Sequence, residues 1–310
     1  MRKKTSKADA VRIQAVTKSF GAHRAVDGLT LRVPSGGIYG LIGPNGSGKT
    51  STLRMIMNLL LPDQGSIEVL GLQGASAARD RVSYLPEERG LYKKMTVRQV
   101  LRYYGLLKGA SPGRLDATLP LWLERLGLLA WADKKVESLS KGMSQKVQFI
   151  AALVSEPDLV ILDEPFSGLD PASVHTMKAI ILELKAQGRT VIFSTHQMAS
   201  AEELCDRIGM IFQGRLVLDG SLAQIQRAHS QGLVRVRTDK SLKFLRQMTG
   251  VLSAVDEDHA QVLALKGDAQ RFLRLLVRQA RVQLFEVKRA SLNDIFLKLV
   301  GTPGSAHVTS

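Results

Sequence analysis

Cysteine and long apolar runs are scarce in this chain, and each shortage excludes a class of protein. Cys205 is the only cysteine among 310 residues, which excludes a disulfide framework or a zinc site built on paired cysteines and fits a reducing cytosol. The apolar stretch before Pro62 has only a few residues, whereas a membrane-spanning helix needs roughly 18. Residues 1–10 are basic and have no apolar core. We therefore expect no secretory signal, and no crossing of a membrane by this chain alone.

Acidic residues are outnumbered, with 28 Asp and Glu against 43 Lys and Arg and a net charge of +15. Residues 1–24 carry seven basic residues and one acidic residue, and residues 232–310 carry thirteen and seven. Basic ends suit an anionic surface, either nucleic acid or the cytoplasmic face of a bilayer. Solvated helix faces and a solubilising tail explain them equally well. The charge therefore does not identify a partner, although the 45% of hydrophobic residues excludes a disordered chain.

The pattern of residues 9–228 predicts one large α/β domain. Residues 11–33 alternate apolar and polar side chains, which is typical of an antiparallel strand pair, with Gly21 at the bend. Continuous apolar runs, typical of strands buried on both faces of a parallel sheet, occupy residues 37–43, 159–162 and 190–193. Helical spacing is expected over 53–61, over 96–129 with an interruption by turn residues at 109–113, and over 171–187, and a loop is expected over 71–78.

A second, smaller domain is expected over residues 232–302. Its pattern predicts strand 234–236, helix 242–248, strands 251–255 and 261–265, helix 269–279 and strand 282–287. This βαββαβ order is that of a ferredoxin-like α+β domain. A last helix is expected to begin at Ser291, with Asp294 completing a capping box. Residues 1–8 and 303–310 are expected to be flexible tails.

A glycine-rich segment between a predicted strand and a predicted helix fits the phosphate-binding pattern G-x-x-x-x-G-K-[ST]. Its residues, with the next one, are Gly43, Pro44, Asn45, Gly46, Ser47, Gly48, Lys49, Thr50 and Ser51. The glycines let backbone N–H groups converge on a phosphate at a helix N-terminus. Lys49 supplies a cation to the terminal phosphates, and the Thr50 hydroxyl is placed for Mg²⁺. The alternative is a glycine-rich turn with a surface lysine.

Two carboxylates follow the apolar run 159–162. An apolar strand that ends in an acid brings that acid to the carboxyl edge of a parallel sheet, where ligands bind. Asp163 is therefore a candidate for Mg²⁺ binding, mostly through water, and Glu164 for the general base that activates a water. The alternative is that these acids only cap the next helix.

Four further segments appear in the order typical of one family. They are the signature-like 139–143 (Leu-Ser-Lys-Gly-Met), the D-loop-like 167–170, the segment 194–196 that ends in a histidine, and the aromatic Phe20. Over residues 11–220 the chain resembles the nucleotide-binding subunits of ATP-binding cassette (ABC) transporters. The resemblance implies a P-loop NTPase with a RecA-like core, an antiparallel β subdomain and a helical subdomain. It also implies ATP and Mg²⁺ as ligands.

The resemblance gives the signature and the D-loop roles in a pair of subunits. Ser140, Lys141, Gly142 and Met143 would meet the γ-phosphate held by the partner subunit, and Asp170 would reach across the dimer. Each segment also has an ordinary explanation, because Ser140 and Asp170 both suit a helix N-cap. The signature departs from the family pattern, Leu-Ser-Gly-Gly-Gln, at Lys141 and Met143.

The resemblance implies three more site residues. His196 would contact the γ-phosphate and order the attacking water, and Phe20 would stack on adenine, although a structural histidine and a core phenylalanine are the alternatives. Glu87 stands where the family has the glutamine that touches Mg²⁺, and the alternative is a solvated loop acid that contacts only Arg89. The amino-acid sequence around Glu87 and that of residues 291–296 are similar to those of NatA-type subunits of sodium-efflux and related exporters.

From this resemblance we expect the ATP-hydrolysing subunit of an ABC exporter. Two cassettes, expected to be identical copies, would dimerise over ATP and drive separate polytopic membrane subunits from the cytoplasmic face of the cell membrane. The alternative is an ABC ATPase that acts on nucleic acid or ribosomes, but such proteins usually have two cassettes in tandem or one split by a long coiled coil, and the sequence has neither. Nucleic acid is therefore not the expected partner. A phosphate-loop kinase or GTPase is opposed by the signature, the D-loop and the histidine together.

Overall fold

The computed structural model describes residues 9–73, 78–88, 90–230, 232–257 and 260–301. The predicted tails and Arg89 lie outside these residues. The strands are β1 (Asp9–Phe20), β2 (His23–Pro34), β3 (Ile38–Ile42), β4 (Gln64–Val69), β5 (Leu72–Gln73), β6 (Val82–Leu85), β7 (Leu159–Asp163), β8 (Thr190–Thr195), β9 (Arg207–Phe212), β10 (Arg215–Ser221), β11 (Leu233–Thr238), β12 (Val251–Glu257), β13 (Ala260–Leu265) and β14 (Val282–Val287).

Ten α-helices lie between and after these strands in the described ranges. They are α1 (Lys49–Ile56), α2 (Val97–Leu107), α3 (Pro112–Arg125), α4 (Lys141–Leu153), α5 (Pro171–Ala186), α6 (Met198–Leu204), α7 (Leu222–His229), α8 (Leu242–Gln247), α9 (Ala269–Leu276) and α10 (Leu292–Val300). Among the described residues, no helix combines the length and the apolar character needed to span a bilayer.

A central sheet of six strands has the order β10-β9-β3-β8-β7-β6. Strands β3, β7 and β8 are parallel and every one of their residues is buried, as the continuous apolar runs predict. Ile42 lies opposite Thr195, and Asp163 lies opposite Ser194. Parallel strands present their carboxyl ends at one edge of a sheet. The residues that follow β3, β7 and β8 in the sequence therefore converge at that edge.

A second sheet, of order β2-β1-β4-β5, contains the predicted antiparallel pair β1–β2. Its turn contains Gly21 at φ 59°, a conformation that glycine adopts without strain. A helical region follows, in which α2 packs against α3 and α4. Thr96 caps α2, and its hydroxyl accepts the Gln99 N–H.

Two elements differ from the sequence-based expectation. The helix expected over 53–61 begins at Lys49 and ends at Ile56, because Asn58 adopts a left-handed φ of 56°, which ends a helix. The loop expected over 71–78 begins with the short strand β5, in which Leu72 pairs with Val69. Residues 74–77 of that loop lie outside the described ranges.

The chain divides into two compact units between Gly220 and Ser221. The predicted first domain ends later, at residue 228, so α7 falls in the second unit. That unit has the predicted βαββαβ order in an antiparallel sheet of order β12-β13-β11-β14. Its core is formed by the sheet with α8 and α9, through residues such as Val234, Leu245, Phe272 and Leu276.

Candidate functional site

The phosphate loop joins β3 to α1, and its glycines differ in how closely the rest of the protein approaches them. A Cβ atom at Gly43 would lie 2.1 Å from the Ile211 carbonyl oxygen, and one at Gly48 would lie 2.4 Å from that of Ala25. Both also have positive φ, 153° and 107°. At Gly46 a Cβ would meet nothing within 4 Å. Gly43 and Gly48 therefore allow the loop to pack on the protein's own backbone, a requirement that the motif alone does not reveal.

Lys49 is buried beneath this loop. Its Nζ donates to the carbonyl oxygens of Gly43 at 2.9 Å and Pro44 at 3.0 Å. Burial lowers the pKa of Lys49, while the charges of Glu164, Asp163 and Glu87 act to raise it. The lysine is thus a buried cation whose charged form is favoured by three carboxylates around it.

A cavity of about 400 Å³ lies over the loop. It is lined by Phe20, His23, Ala25, Asn45, Gly46, Gly48, Lys49, Thr50, Ser51, Glu87 and Glu164. Phe20 is 51% exposed, which excludes the alternative that it is a core residue, and Lys18 Nζ lies 5.8 Å from its ring centroid. His23 was not predicted from the sequence as a residue of this site. The predicted turn at Gly21 could have indicated it, because the turn brings His23 opposite Phe20.

Asp163 is fully buried at the end of β7 and gathers three hydroxyl groups. Its Oδ1 accepts from Ser194 Oγ at 2.5 Å and from Thr50 Oγ1 at 3.3 Å, and its Oδ2 accepts from the Tyr84 hydroxyl at 3.3 Å. Burial, and then the charge of Asp163, raise the pKa of Tyr84. The structure brings Thr50 and Asp163 together as predicted. It adds Tyr84 and Ser194, whose proximity depends on the order of the strands.

Glu164 and His196 form a second pair at the same edge. Oε1 of Glu164 accepts the backbone N–H of His196 at 3.0 Å and lies 2.8 Å from its Nδ1. Glu164 is 7% exposed and has a φ of 46°, which costs a residue with a side chain about 1–3 kcal/mol. A strained, buried carboxylate held by a histidine, in the same cavity as a buried lysine, is an arrangement suited to activating a water.

The signature and the D-loop lie at two neighbouring helix starts. Ser140 caps α4, and its Oγ accepts the Met143 N–H at 3.2 Å. A Cβ atom on Gly142 would lie 3.3 Å from the Gly168 carbonyl oxygen, and one on Gly168 would lie 3.4 Å from Cε of Lys141. The Lys141 side chain therefore packs along the D-loop.

Asp170 caps α5 through Ser173. It accepts the Ser173 N–H at 2.9 Å and the Ser173 hydroxyl at 2.6 Å, and the bond from this hydroxyl is the main cause of its lowered pKa. The N-cap explanations of Ser140 and Asp170 are thus observed. Neither residue lines the cavity over the phosphate loop of its own chain.

The chain is similar to known proteins. A family model described as ABC transporter matches residues 26–167, and one described as ATP-binding protein DrrA1-3-like, C-terminal domain, matches residues 220–300. An AAA domain model, described as a putative AbiEii toxin of a type IV toxin–antitoxin system, matches residues 134–201. The ABC transporter ATP-binding protein YhaQ of Bacillus subtilis (strain 168) is 41% identical over 291 residues, which are 93% of this chain and 98% of YhaQ. The chain belongs to the ABC transporter ATP-binding proteins.

Further similarities agree with this ABC transporter assignment. A Nod factor export ATP-binding protein I of Paraburkholderia xenovorans (strain LB400) is 33% identical, over 94% of this chain and 97% of that protein. A solved ATP-binding subunit of an ABC transporter is 33% identical with a TM-score of 0.67, and the match covers 71% of this chain and 92% of that chain. The predicted family and the predicted fold class are confirmed.

Glu87 is the point at which this ABC subunit departs from the family pattern close to the nucleotide. It is exposed, lines the cavity, and contributes to the electrostatic environment of Lys49. Its predicted role towards Mg²⁺ stays a prediction, and its suggested alternative partner, Arg89, lies outside the described residues.

The residues of this ABC subunit suit Mg²⁺ held together with a nucleotide. No group of three or more His, Cys, Asp or Glu side chains that could hold a metal ion occurs in the described ranges. Mg²⁺ usually has one or two carboxylate ligands and completes its shell with water and phosphate. The buried Asp163 carboxylate and the Thr50 hydroxyl beside it are donors of that kind.

Proposed function

We propose that this ABC transporter subunit hydrolyses ATP and drives an exporter through separate membrane-spanning subunits. The observation that carries the proposal is the contact between Glu164 and His196, because Glu164 lines the same cavity as Lys49 and the phosphate loop. Members of the family bind ATP, and this arrangement adds the groups that hydrolysis requires: a buried cation and a positioned base.

Each residue has a distinct task in this proposal. Lys49 neutralises charge on the β- and γ-phosphates, exchanging its bonds to the carbonyl groups of Gly43 and Pro44 for phosphate oxygens. Glu164 accepts a proton from the attacking water, and His196 orients the Glu164 carboxylate and contacts the γ-phosphate. Phe20 stacks on the adenine. Thr50, Asp163 and Glu87 hold Mg²⁺, which neutralises phosphate charge when bound.

A second copy of the chain completes the site. Ser140 and Lys141 are exposed and absent from the cavity lining of their own chain. A helix start with a hydroxyl and a cation suits a γ-phosphate presented by another subunit. Asp170 supports this face by holding the start of α5. The proposed dimer therefore contains two nucleotides, each between the phosphate loop of one copy and the signature of the other.

The membrane partner and the direction of transport are supported by the relatives. One relative above carries export in its name, and the second unit matches a DrrA1-3-like model. We propose a polytopic membrane subunit as the partner and a peripheral position at the cytoplasmic face of the cell membrane, compatible with the basic ends of the chain. No observation favours the nucleic-acid alternative.

Two variants test the catalytic part. Lys49→Ala removes the phosphate cation, so tight ATP binding is expected to be lost. Glu164→Gln retains the shape of the site but cannot act as the base, so it should bind ATP, stop hydrolysis and accumulate an ATP-bound dimer in size-exclusion chromatography. Turnover of the Glu164→Gln protein at the wild-type rate would contradict the assignment of Glu164. Co-purification in detergent with a polytopic membrane protein encoded beside the gene tests the transporter part.

A further inference from the structure

A cavity of about 780 Å³ lies within the second unit. It is bounded by α7, by the residues that follow β13 and β14, and by the start of α9. Leu265 and Val287 line it on the apolar side. Its volume falls within the range of about 300–1,000 Å³ that small-molecule sites occupy in proteins.

The charged residues of this cavity are mainly cationic. Arg227, Lys288 and Arg289 line it, against the single acid Asp268. Asp268 is already engaged as the N-cap of α9, because its Oδ1 accepts the Arg271 N–H at 2.8 Å. The cavity thus has two more cations than anions, and its one carboxylate already has a structural partner.

A neighbouring cavity of about 380 Å³ extends this basic region. It shares Leu265, Gly267 and Asp268 with the first cavity and adds Lys266 and Arg271 to its lining. Five cationic side chains therefore surround the short turn between β13 and α9.

The arginines of these cavities differ from those of the first unit in how they are paired. Every described arginine of the first unit other than Arg32 and Arg79 lies in an ion pair. Arg227, Arg271 and Arg289 have no side-chain hydrogen bond or ion pair with any residue that the structure describes. These three arginines, which no described side chain neutralises, border a concave surface and are therefore placed to attract an anion.

We propose that this basic cavity binds a phosphorylated small molecule, held by Arg227, Lys288 and Arg289. Arginine presents a planar fork of donors that matches phosphate oxygens, and lysine adds a point charge. The concave shape and the apolar side chains of Leu265 and Val287 in its lining favour a small molecule over a nucleic-acid strand. The site lies entirely in the second unit, so this inference does not depend on the proposed function.

The test measures binding of inorganic pyrophosphate to the full chain by isothermal titration calorimetry. The Lys49→Ala background removes binding at the phosphate loop. In that background we expect one pyrophosphate to bind per chain. When Arg227→Ala and Arg289→Ala are combined, we expect binding to weaken by about tenfold or more. The loss of a single charge-assisted hydrogen bond is enough to weaken binding about tenfold. Both arginines are exposed, so the variant is expected to fold, and its thermal unfolding verifies this. If the combined variant unfolds at a lower temperature than the Lys49→Ala protein, the single substitution Arg289→Gln is used in its place.

The matched control combines Arg274→Ala and Arg278→Ala. These arginines are also exposed. Arg274 lies in α9, whose start bounds the cavity, and Arg278 follows α9, but neither arginine lines either cavity. The control removes the same charge, and we expect it to leave pyrophosphate binding unchanged. Equal weakening by both pairs would show diffuse attraction and overturn the proposal, as would no binding in the Lys49→Ala background. A ten-nucleotide single strand that binds more tightly than pyrophosphate, and equally to both pairs, would point to nucleic acid and also overturn it.

Discussion

The hydroxyl of Ser194 lies 2.5 Å from Oδ1 of Asp163, and it also accepts the backbone N–H of Glu164 at 3.1 Å. One buried serine on β8 therefore holds both acids that follow the neighbouring strand. It fixes the Asp163 carboxylate by donating to it and the Glu164 backbone by accepting from it.

Ser194→Ala is expected to lower both stability and activity. It removes a donor from a fully buried carboxylate and leaves a buried N–H without its acceptor, which costs about 1–3 kcal/mol of unfolding free energy. The Asp163 carboxylate also becomes less fixed, so ATP hydrolysis should require more Mg²⁺. Urea unfolding and ATPase rates against Mg²⁺ concentration measure the two effects. Ser173→Ala, at another buried serine that bonds to an aspartate, is the control and should leave the Mg²⁺ curve unchanged.

Two glycines of the phosphate loop should respond very differently to alanine. Gly48→Ala places a Cβ 2.4 Å from the Ala25 carbonyl oxygen at a φ of 107°, so we expect a loss of more than about 2 kcal/mol in stability and no ATP binding. Gly46→Ala meets open space at a φ of 75° and is expected to cost about 1 kcal/mol. Thermal unfolding of both proteins checks this order. Equal effects would show that the contact with Ala25 is unimportant.

Glu87 should affect the metal requirement more than ATP binding. Glu87→Gln removes a charge that raises the pKa of Lys49 and a hard oxygen ligand for Mg²⁺, so we expect retained ATP binding and a shifted Mg²⁺ dependence. Glu87→Ala is expected mainly to impair hydrolysis and its coupling to transport. Glu88→Gln is the matched control, because Glu88 is exposed, pairs with Arg54 and does not line the cavity. Mg²⁺ curves identical to wild type for both Glu87 variants would remove Glu87 from the metal site.

The limits of the two units can be tested by truncation. A chain that ends after Gly220 is expected to stay folded and bind ATP. A chain that ends after Gly232 retains α7, with its buried Leu222 and Ile225, but loses the contact of Ser230 Oγ with the Ala290 N–H at 2.7 Å and the rest of the second unit. We therefore expect the longer truncation to aggregate more readily, as measured by size-exclusion chromatography. If the shorter protein loses ATP binding, the second unit contributes to the ATPase fold.

The parts of this protein whose chemistry is local could be predicted from the amino-acid sequence. The buried strands were visible as apolar runs, and the phosphate loop as glycines before a lysine. The carboxylates at the end of β7 followed from one strand alone. The βαββαβ order of the second unit was also predictable, because helices and strands impose different periods on apolar residues.

The contacts between distant side chains depend on the tertiary structure and could not be predicted. Ser194 and Tyr84 reach Asp163 because β8 and β6 lie on either side of β7, and strand order depends on packing across the whole sheet. The need for glycine at positions 43 and 48 comes from carbonyl groups on β9 and β2. The basic cavity joins α7 to residues after β13 and β14. A sequence pattern records the period of an element, but not the neighbours that long-range packing brings to it.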